Sequence, residues 1–392
     1  MLVLMLGCHA TSTLFLRLVP TIAPDMVHAY GWSQSFIGWL ATAANAGSLV
    51  LVAVGTGVFR LMGSLRSIRW GLAAGGFGTL LLLVPLPAVA LVGCIVAGLG
   101  HAPTNPAGND VLQRHVPRGK QGLIFSIKQS SIPIAGIVGG LMLPRIAEIG
   151  GVQAAIVVAA LFGALMLLVL RPLDRHEPAP EAGRSLGRAF SLENITAPMR
   201  VVLVSTQIRS LAISGLLLGF VQTTWFVYMT SILAFALGYS ATEAGGLFAL
   251  MQAASIAGRL MLGWGADRMH GGLGLIAASI VGSVLSTLAL ALAVASGPGW
   301  WVVVACLAGG AFAAGWNGIQ MAEAVRLAPE GKLYESVSGV TLGIGGGVVS
   351  GPLIVSVLLG LGVNWVAILT GIALLPLLSL PSVLRELRRD RA

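Results

Sequence analysis

The sequence predicts an all-α polytopic membrane protein of about twelve transmembrane helices, arranged as two parallel six-helix repeats. Three observations lead to this fold class. Hydrophobic residues make up 56% of the 392 residues and charged residues only 9%, whereas a soluble domain carries about a quarter charged residues. Apolar runs of about 20 residues, long enough to cross a hydrocarbon core of roughly 30 Å, follow one another along the whole chain. The third observation is an internal repeat.

A charged segment with several prolines separates the sixth apolar run from the seventh. It predicts an N-terminal six-helix bundle at 1–170, a cytoplasmic linker at 171–204, and a C-terminal six-helix bundle with a short basic tail at 205–392. The predicted spans are 2–24, 34–56, 70–86, 88–110, 123–143, 152–170, 205–236, 244–266, 273–295, 300–325, 336–358 and 364–383.

Two matches within the sequence, at nearly the same spacing, indicate that the halves are repeats. At a shift of 208 residues, segment 55–63 falls on 263–271 with three glycines and one arginine in register. At a shift of 212 residues, Arg114 falls on Arg326 within a second matching segment. Each match joins helices of the same rank, so the repeats are parallel and related by an axis along the membrane normal.

The net charge of +9 reflects membrane orientation rather than nucleic-acid binding. The basic residues fall beside even-numbered turns and in the tail, and only Arg145 falls clearly on the other side. This positive-inside pattern predicts an integral plasma (inner) membrane protein with both termini cytoplasmic. Because the charges are spread over separate loops, nucleic acid is excluded as a partner. The predicted partners of this expected monomer are the lipid bilayer and a small-molecule substrate.

Enzyme chemistry finds no support in the sequence. The six histidines are scattered, the three cysteines stand singly, and the glycine runs lie inside apolar helices rather than between a strand and a helix. No nucleophile with its base, metal cluster or phosphate-cradling loop is recognisable. We therefore predict no enzymatic activity, no metal and no cofactor.

One segment carries a family resemblance. Gly263-Trp-Gly-Ala-Asp267-Arg268, followed by Gly271, resembles the signature loop between the second and third helices of each half of major facilitator superfamily transporters. The resemblance covers the whole chain at the level of architecture and implies a secondary transporter that works by alternating access. It also implies that Asp267 and Arg268 clamp neighbouring helices. The first-half copy has Phe59 where the Asp belongs, so its clamp is expected to be weaker.

Three cations lie within predicted spans, and no carboxylate lies comparably deep: Arg17, Lys128 and Arg259. Ionisable groups in lipid-spanning helices are costly and usually face a cavity, so each is a candidate substrate contact. Two alternatives remain open. Arg17 could extend towards the outer membrane surface, and Lys128 could release a proton or pair with Asp110 or Glu323. The excess of positive charge predicts an anionic substrate.

Polar side chains recur on predicted helices one, four, seven and ten. The superfamily resemblance implies that these helices line a central cavity. The competing interpretation is hydrogen bonding between helices. On helix one, His9, Thr13 and Arg17 share a face because they are spaced by four residues. The candidate binding residues of the other helices are His101, Asn105 and Asn109; Gln222, Trp225 and Tyr228; and Trp316, Asn317 and Gln320.

The surroundings of Arg259 sharpen the predicted substrate. The segment from Ala257 to Gly263 resembles the helix-eight region of monocarboxylate transporters and of the bacterial oxalate and formate exchanger. This resemblance implies that Arg259 engages a substrate carboxylate, a task that suits the planar, permanently charged guanidinium. The same arginine also occurs in superfamily members with other substrates, where it pairs with nearby acids.

Two carboxylates precede arginines near the predicted cytoplasmic ends of helices four and ten. Asp110 comes four residues before Arg114, and Glu323 comes three residues before Arg326. Such spacing predicts ion pairs within each helix and a gating network. Coupling to a proton, through either carboxylate or through the histidines of helices one and four, stays open, as does exchange for a counter-anion.

Two functions follow from these patterns. The first is uptake or exchange of a small organic anion, carboxylate-like, with the buried cations supplying the positive potential. The alternative is export of neutral or amphipathic compounds, as in multidrug-type efflux, for which aromatic and apolar walls would suffice.

Overall fold

The computed structural model describes the backbone of residues 1–115, 127–172, 192–269 and 271–391. Most of the predicted linker lies in the second of the two longer gaps, outside the described residues. Within the described part the regular elements are helices, which confirms the predicted all-α fold class. Side chains are not described for 53–61, 113, 115, 192–195, 334 and 391.

The chain divides into two compact units, Met1–Ile195 and Thr196–Ala392, and this boundary falls inside the predicted linker 171–204. A helix, α8, crosses the boundary. The first unit contains α1 Leu2–Thr21, α2 Ala23–Tyr30, α3 Gln34–Met62, α4 Ser64–Leu81, α5 Pro87–His101, α6 Thr104–His115 and α7 Ser131–Leu170, and α8 is Leu192–Val204.

The second unit is also helical, and two of its helices continue into short π-helical segments. Segments of π-helix follow α9, at Ile232–Ala236, and α12, at Gly309–Ala313. A 3-10 segment, Leu375–Ser379, follows α15. The α-helices are α9 Thr206–Ser231, α10 Ala241–Met269, α11 Leu273–Ser296, α12 Trp300–Ala308, α13 Asn317–Arg326, α14 Leu333–Gly360, α15 Trp365–Leu374 and α16 Leu380–Arg391.

Ten helical stretches of the described chain are long and apolar enough to cross a membrane, against about twelve predicted. Predicted spans 123–143 and 152–170 fall in one stretch, Ile127–Leu170, which is interrupted where Gly151 takes a positive φ of 77°. The predicted span 70–86 corresponds to α4, which begins earlier, at Ser64, and carries Arg66 and Arg69 in its first turns. These two charges lower its mean hydropathy, so composition alone no longer marks it as a span.

Glycines allow close helix contacts in the first unit. A Cβ added to Gly71 of α4 would lie 2.5 Å from the carbonyl oxygen of Gly100 in α5, closer than any real side chain permits. The ring of Phe15 on α1 packs against Gly75 and Gly163, where a Cβ would also collide with it. These contacts fix α1, and with it the polar residues that α1 contributes, against α4, α5 and α7.

In the second unit, α9 and α14 meet along a seam of glycines spaced by four residues. A Cβ on Gly343 would lie 2.5 Å from the carbonyl oxygen of Ala212, and one on Gly351 would lie 2.7 Å from that of Phe220. Between them, a Cβ on Gly347 would overlap the carbonyl oxygen of Leu216. The glycine seam therefore brings the two backbones into direct contact.

The helix that begins with α12 is interrupted in its middle. After the π segment Gly309–Ala313, residues 314–316 leave the helical ladder, and α13 begins at Asn317. Glycines allow α10 to approach this point, since a Cβ on Gly258 would lie 2.5 Å from the carbonyl oxygen of Ala311. Departures from α-helical geometry leave backbone carbonyls without their usual helical donors, and they occur frequently at functional sites.

Candidate functional site

The first unit contains a buried network of hydroxyl and imidazole groups where α1, α5, α6 and α7 meet. The Oγ of Ser12 lies 3.1 Å from Nδ1 of His101 and 2.9 Å from Oγ1 of Thr104. The Nδ1 of His9 lies 2.8 Å from Oγ of Ser131. The rings of His9 and His101 stack with their centroids 5.6 Å apart. His101 is thus held close to α1, and Thr104 and Ser131, which the sequence analysis did not single out, complete the network.

Lys128 is fully buried, with 0% of the side chain exposed. Its Nζ donates to the carbonyl oxygen of Asn105 at 2.9 Å, to Oδ1 of Asn105 at 2.8 Å and to Oδ1 of Asn109 at 2.9 Å. All three ammonium protons are therefore used on neutral oxygens. The suggested pairing of Lys128 with Asp110 is not formed, and its partners are Asn105 and Asn109.

Arg17 is half-buried on the face of α1 that also bears His9. The first unit therefore holds two cations, Arg17 and Lys128, and a stacked pair of imidazole rings. Thr13 turns its hydroxyl to the carbonyl oxygen of His9, 2.7 Å away within the same helix.

The second unit gathers its polar side chains at the interruption after α12. Gln222 and Asn317 are joined through Nε2 and Oδ1 at 2.8 Å, as their positions on helices seven and ten suggested. The carbonyl oxygen of Ala314 accepts from three side chains: Nε2 of Gln222 at 3.0 Å, Oγ of Ser255 at 3.2 Å and Nη2 of Arg259 at 3.2 Å. A carbonyl freed by the break in the helix thus organises the site.

Arg259 uses only part of its hydrogen-bonding capacity there. Its Nε donates to Oγ of Ser255 at 3.4 Å and its Nη2 to the carbonyl oxygen of Ala314. These two bonds occupy two of the five guanidinium N–H groups. The side chain is half-buried, and its partners among the described residues are neutral oxygens.

Two residues of α10 that sequence reasoning missed share the face of Arg259. Ser255 bonds to the Ala314 carbonyl, and Gln252 is fully buried with neither its Nε2 nor its Oε1 hydrogen-bonded. Gln252 and Arg259 are seven residues apart, so they lie on one face about 10 Å from each other. An isolated Ser or Gln in an apolar helix gives no sequence signal that separates a binding role from packing.

Four predicted binding residues are buried in helix packing instead. Trp225 donates Nε1 to Oγ1 of Thr287 at 3.0 Å, and Tyr228 bonds through its hydroxyl to the carbonyl oxygen of Pro352 at 3.0 Å. Trp316 donates to the carbonyl oxygen of Ala313 and lies in the hydrophobic core of the unit. Gln320 donates Nε2 to the carbonyl oxygen of Leu211 at 2.6 Å. All four side chains are at most 1% exposed, and we assign them to packing.

The predicted pair Asp110–Arg114 forms near the end of α6. Ser64, the first residue of α4, donates its hydroxyl to Oδ2 of Asp110 and accepts from Nη2 of Arg114 at 3.0 Å. The pair therefore ties the start of α4 to α6.

The matching pair in the second unit is Glu323–Arg326, and here a backbone N–H takes the place of the serine hydroxyl. Arg326 bonds to Oε2 of Glu323 at 2.7 Å and to Oδ2 of Asp390 at 2.9 Å. Glu323, 3% exposed, also accepts from the backbone N–H of Gly272 at 2.7 Å. In the 208-residue repeat Gly272 stands where Ser64 stands in the first unit.

The signature-loop residues Asp267 and Arg268 are exposed at the end of α10. The guanidinium of Arg268 stacks over the ring of Trp264, 4.4 Å from its centroid, in the same helix. Within the second unit, Arg268 therefore contacts its own helix. The clamp role implied by the resemblance stays a prediction.

Comparison with known proteins agrees with this architecture. Residues 5–333 match the family model described as the Major Facilitator Superfamily. An uncharacterized transporter of this type from Mycobacterium tuberculosis is 26% identical over 276 residues, which cover 68% of this chain and 58% of the relative. A probable anion transporter, chloroplastic, of Oryza sativa subsp. japonica is 26% identical over 192 residues, covering 47% of this chain and 36% of the relative.

Solved structures show the same fold at low sequence identity. A POT family transporter in complex with a thioalcohol-conjugated peptide is similar with a TM-score of 0.76 and 12% identity, over 100% of this chain and 96% of that one. A bacterial homolog of the human lysosomal transporter Spinster, in an inward-facing occupied conformation, is similar with a TM-score of 0.71 and 14% identity, over 98% and 93%.

Proposed function

The chain belongs to the major facilitator superfamily, and from this premise we propose that it is a secondary transporter of small organic anions, carboxylates in particular, working by alternating access. Arg259 carries the proposal. It is a half-buried cation whose described partners are neutral, and three of its five N–H groups remain available. A carboxylate is the group that a guanidinium fork binds with two parallel hydrogen bonds.

Electrostatics support an anion over a neutral compound. A buried charge is costly unless it is paired, and the partners of Arg259 among the described residues are hydroxyl and carbonyl dipoles. A carboxylate bound at Arg259 would supply the counter-charge, and a neutral or amphipathic cargo would not.

The polar groups around Arg259 would then fix the orientation of the substrate. Gln222 and Asn317 present amides beside the Ala314 carbonyl, within the cluster that holds Arg259. Gln252, about 10 Å along the same helix face, offers an amide without a partner for a second polar group. The resemblance of the Arg259 segment to monocarboxylate and oxalate–formate carriers, and the name of the rice relative, favour the same substrate class.

Ligand-dependent stabilisation tests the proposal. Purified protein is heated with lactate, oxalate, succinate or benzoate, and in parallel with lactamide, oxamide, succinamide or benzamide, which keep the shape and lack the charge. A ligand that binds the native state raises the unfolding temperature in proportion to its affinity. We expect stabilisation by at least one carboxylate and by none of the amides.

Two variants connect that stabilisation to Arg259. Arg259→Gln should weaken carboxylate binding about tenfold to a hundredfold, and Arg259→Lys should restore part of it because the charge returns without the fork. Arg145→Gln, which removes an exposed arginine paired with Glu148, is the matched control and should bind normally. Stabilisation by neutral amphipaths instead, or binding that Arg259→Gln leaves unchanged, would favour the efflux alternative.

The remaining predictions belong to the same proposal. We propose that the protein lies in the inner membrane with both termini cytoplasmic, which the distribution of basic residues supports, and that it is a monomer. We propose that the pairs Asp110–Arg114 and Glu323–Arg326 act as gates, and each is tied to the start of the third helix of its unit. Reporter fusions at the two termini and light scattering of the detergent complex would check orientation and mass.

A further inference from the structure

The last helix of the second unit, α16, borders an open cavity of about 510 Å³. The described residues that line this cavity all belong to α16: Leu380, Pro381, Leu384, Arg385, Arg388 and Arg389. Positions 381, 384, 385 and 388 fall within about 100° of arc at about 100° per residue, so they share one face of the helix. We call these four residues the outer face of α16.

The opposite face of α16 is packed against the second unit. Val383 is fully buried in the hydrophobic core of the unit. Ser382 accepts a hydrogen bond from Oγ of Ser210 on α9 at 3.0 Å. Near the end of the helix, Asp390 binds Arg326 at 2.9 Å. These contacts fix the rotation of α16, so the outer face is directed away from the core.

Two arginines of the outer face carry charges that the described part of the chain does not compensate. The acidic residues of α16 are engaged elsewhere, since Glu386 binds Arg389 at 3.0 Å and Asp390 binds Arg326. Arg385 and Arg388 are exposed and have no acidic partner among the described residues. The outer face therefore presents two positive charges to whatever lies beside it.

The position of these arginines along the chain matches the surface of a bilayer. The stretch Trp365–Asp390 is long and apolar enough to cross a membrane, and Asn364 caps its first turn. At about 1.5 Å per residue, a hydrocarbon core of roughly 30 Å takes up about 20 residues, which from Trp365 ends near Leu384. Arg385 and Arg388 follow directly, at the level of the lipid phosphates.

We propose that the outer face of α16 binds one anionic phospholipid of the surrounding membrane. The phosphate contacts Arg385 and Arg388, and the start of an acyl chain lies against Pro381 and Leu384, which is 37% exposed. The apolar and basic parts of the face follow one another in the same order as chain and headgroup in the bilayer. A soluble phosphate or an acidic protein would leave the apolar part uncovered. This inference does not depend on the substrate class proposed above.

Lipid binding to the purified full chain tests the proposal. Protein stripped of lipid in dodecyl maltoside is titrated with phosphatidylglycerol, with phosphatidylcholine of the same acyl chains, and with glycerol phosphate. Native mass spectrometry measures the bound fraction, and the unfolding temperature measures stabilisation by the ligand. We expect phosphatidylglycerol to bind about tenfold more tightly than either of the others, because it alone combines the anionic headgroup with apolar chains.

Removing the two charges should remove the preference. Arg385→Gln with Arg388→Gln should weaken phosphatidylglycerol binding about 25-fold, since each basic residue at a lipid surface contributes about a factor of five. Arg385→Lys with Arg388→Lys should restore binding to within about threefold, because the attraction depends on charge. Without lipid, the double Gln variant should unfold at the temperature of the wild type, since neither arginine loses an acidic partner.

Two further variants guard the interpretation. Arg209→Gln is the matched control, because Arg209 is an exposed arginine of the same unit that donates to the carbonyl oxygen of Leu203 at 3.2 Å. It is not among the described residues that line the cavity, and its variant should bind phosphatidylglycerol normally. Leu384→Asn should weaken phosphatidylglycerol binding and leave the binding of glycerol phosphate unchanged.

The outcomes are distinct. Selective loss of phosphatidylglycerol binding in the double Gln variant, with recovery in the double Lys variant, supports the lipid site. Equal binding of phosphatidylglycerol and phosphatidylcholine, or an equal loss in Arg209→Gln, overturns it. Glycerol phosphate that binds as tightly as the lipid would show a site for free phosphate instead. An acidic peptide that stabilises the protein as much as the lipid would assign the face to a protein partner and would also overturn the proposal.

Discussion

The two units hold their buried cations in opposite ways. In the first unit, Lys128 is enclosed and its three donors are consumed by Asn105 and Asn109. In the second, Arg259 lies half-exposed beside a broken helix with three N–H groups to spare. The difference teaches that a repeat can keep its helix pattern while one copy uses all the donors of its buried cation internally and the other leaves donors unused.

The two carboxylate–arginine pairs show the converse, because the same arrangement is built from different groups. Each unit pairs a carboxylate with an arginine near the end of its fourth helix, and each ties that pair to the start of its third helix. The first unit uses the side chain of Ser64 as donor and the second uses the backbone N–H of Gly272. The predictions below test these contrasts, from the largest expected effect to the smallest.

The glycine seam between α9 and α14 should tolerate an added methyl group far less well than the contact between α1 and α7 in the first unit. Gly347→Ala places a Cβ on the carbonyl oxygen of Leu216, and neither backbone can retreat, so we expect a loss of more than about 3 kcal/mol and poor expression of folded protein. Gly139→Ala meets only the end of the Leu14 side chain, 3.0 Å away, which can rotate, and should cost about 1 kcal/mol or less. Thermal unfolding of both variants measures the contrast, and equal losses would contradict it.

Removing the two cations should separate stability from binding. Lys128→Met leaves the oxygens of Asn105 and Asn109 buried without their donor, which should cost about 3 kcal/mol and several degrees of unfolding temperature. Arg259→Gln removes a cation that uses few of its donors, so its unfolding temperature should stay within about 2 °C of the wild type while carboxylate binding is lost. Similar stabilities for the two variants would show that the contrast between the units is wrong.

The two carboxylate–arginine pairs should differ in their contribution to stability because they differ in burial. Glu323→Gln weakens an acceptor that is 3% exposed and bonded to both Gly272 and Arg326, so we expect a loss of about 1.5 kcal/mol. Asp110→Asn affects a carboxylate whose side chain is 49% exposed, and the loss should be about 0.5 kcal/mol and sensitive to salt. Unfolding at low and high salt checks both, and a larger loss for Asp110→Asn would reverse the ranking.

A small effect is expected at the connection between α1 and α3, where the first unit carries a carboxyl that it does not satisfy. Burial raises the pKa of Asp25 in α2 to about 6, against the opposing influence of a backbone hydrogen bond and of His28. One of its oxygens, Oδ2, is buried without a hydrogen-bond partner. Because the folded pKa lies above the unfolded value of 3.8, the native state binds more protons between about pH 4 and 6, and stability from this group falls as the pH rises through that window.

Asp25→Asn should therefore raise the unfolding temperature by about 2 °C at pH 7.5, with a gain that shrinks to nothing near pH 4. Unfolding temperatures of the variant and the wild type across that range provide the measurement. A gain that stays constant with pH would mean that the carboxyl is not the cause.

Much of the architecture was predictable because apolar length and repeated spacing are properties of the chain itself. The predicted span 205–236 coincides with α9 and its π segment, and 273–295 coincides with α11. The division at Gly151 was predictable only as a gap between two spans, because the sequence does not show that this glycine takes a positive φ of 77°.

The site was predictable only in part, because a spacing of three does not keep residues on one face. Gln222, Trp225 and Tyr228 drift by about 60° per step at 100° per residue, so only the first reaches Asn317. Trp316 and Gln320 likewise do not share the face of Asn317, because the helix is broken after α12. Their side chains bond to backbone carbonyls inside the second unit. The role of the Ala314 carbonyl could not be predicted from the sequence. Every residue has such a carbonyl, and only the structure shows that the helix breaks here and leaves this one available.

The glycine seam between α9 and α14 also offers a fixed reference for measuring motion. Since their backbones touch at Gly343, Gly347 and Gly351, the two helices can neither separate nor slide without losing those contacts. Spin labels placed on the outward faces of α9 and α14 should report the same distance with and without ligand. Such a pair would calibrate pulsed distance measurements made elsewhere in the second unit, so that any change seen there is read as movement of the protein rather than of the labels.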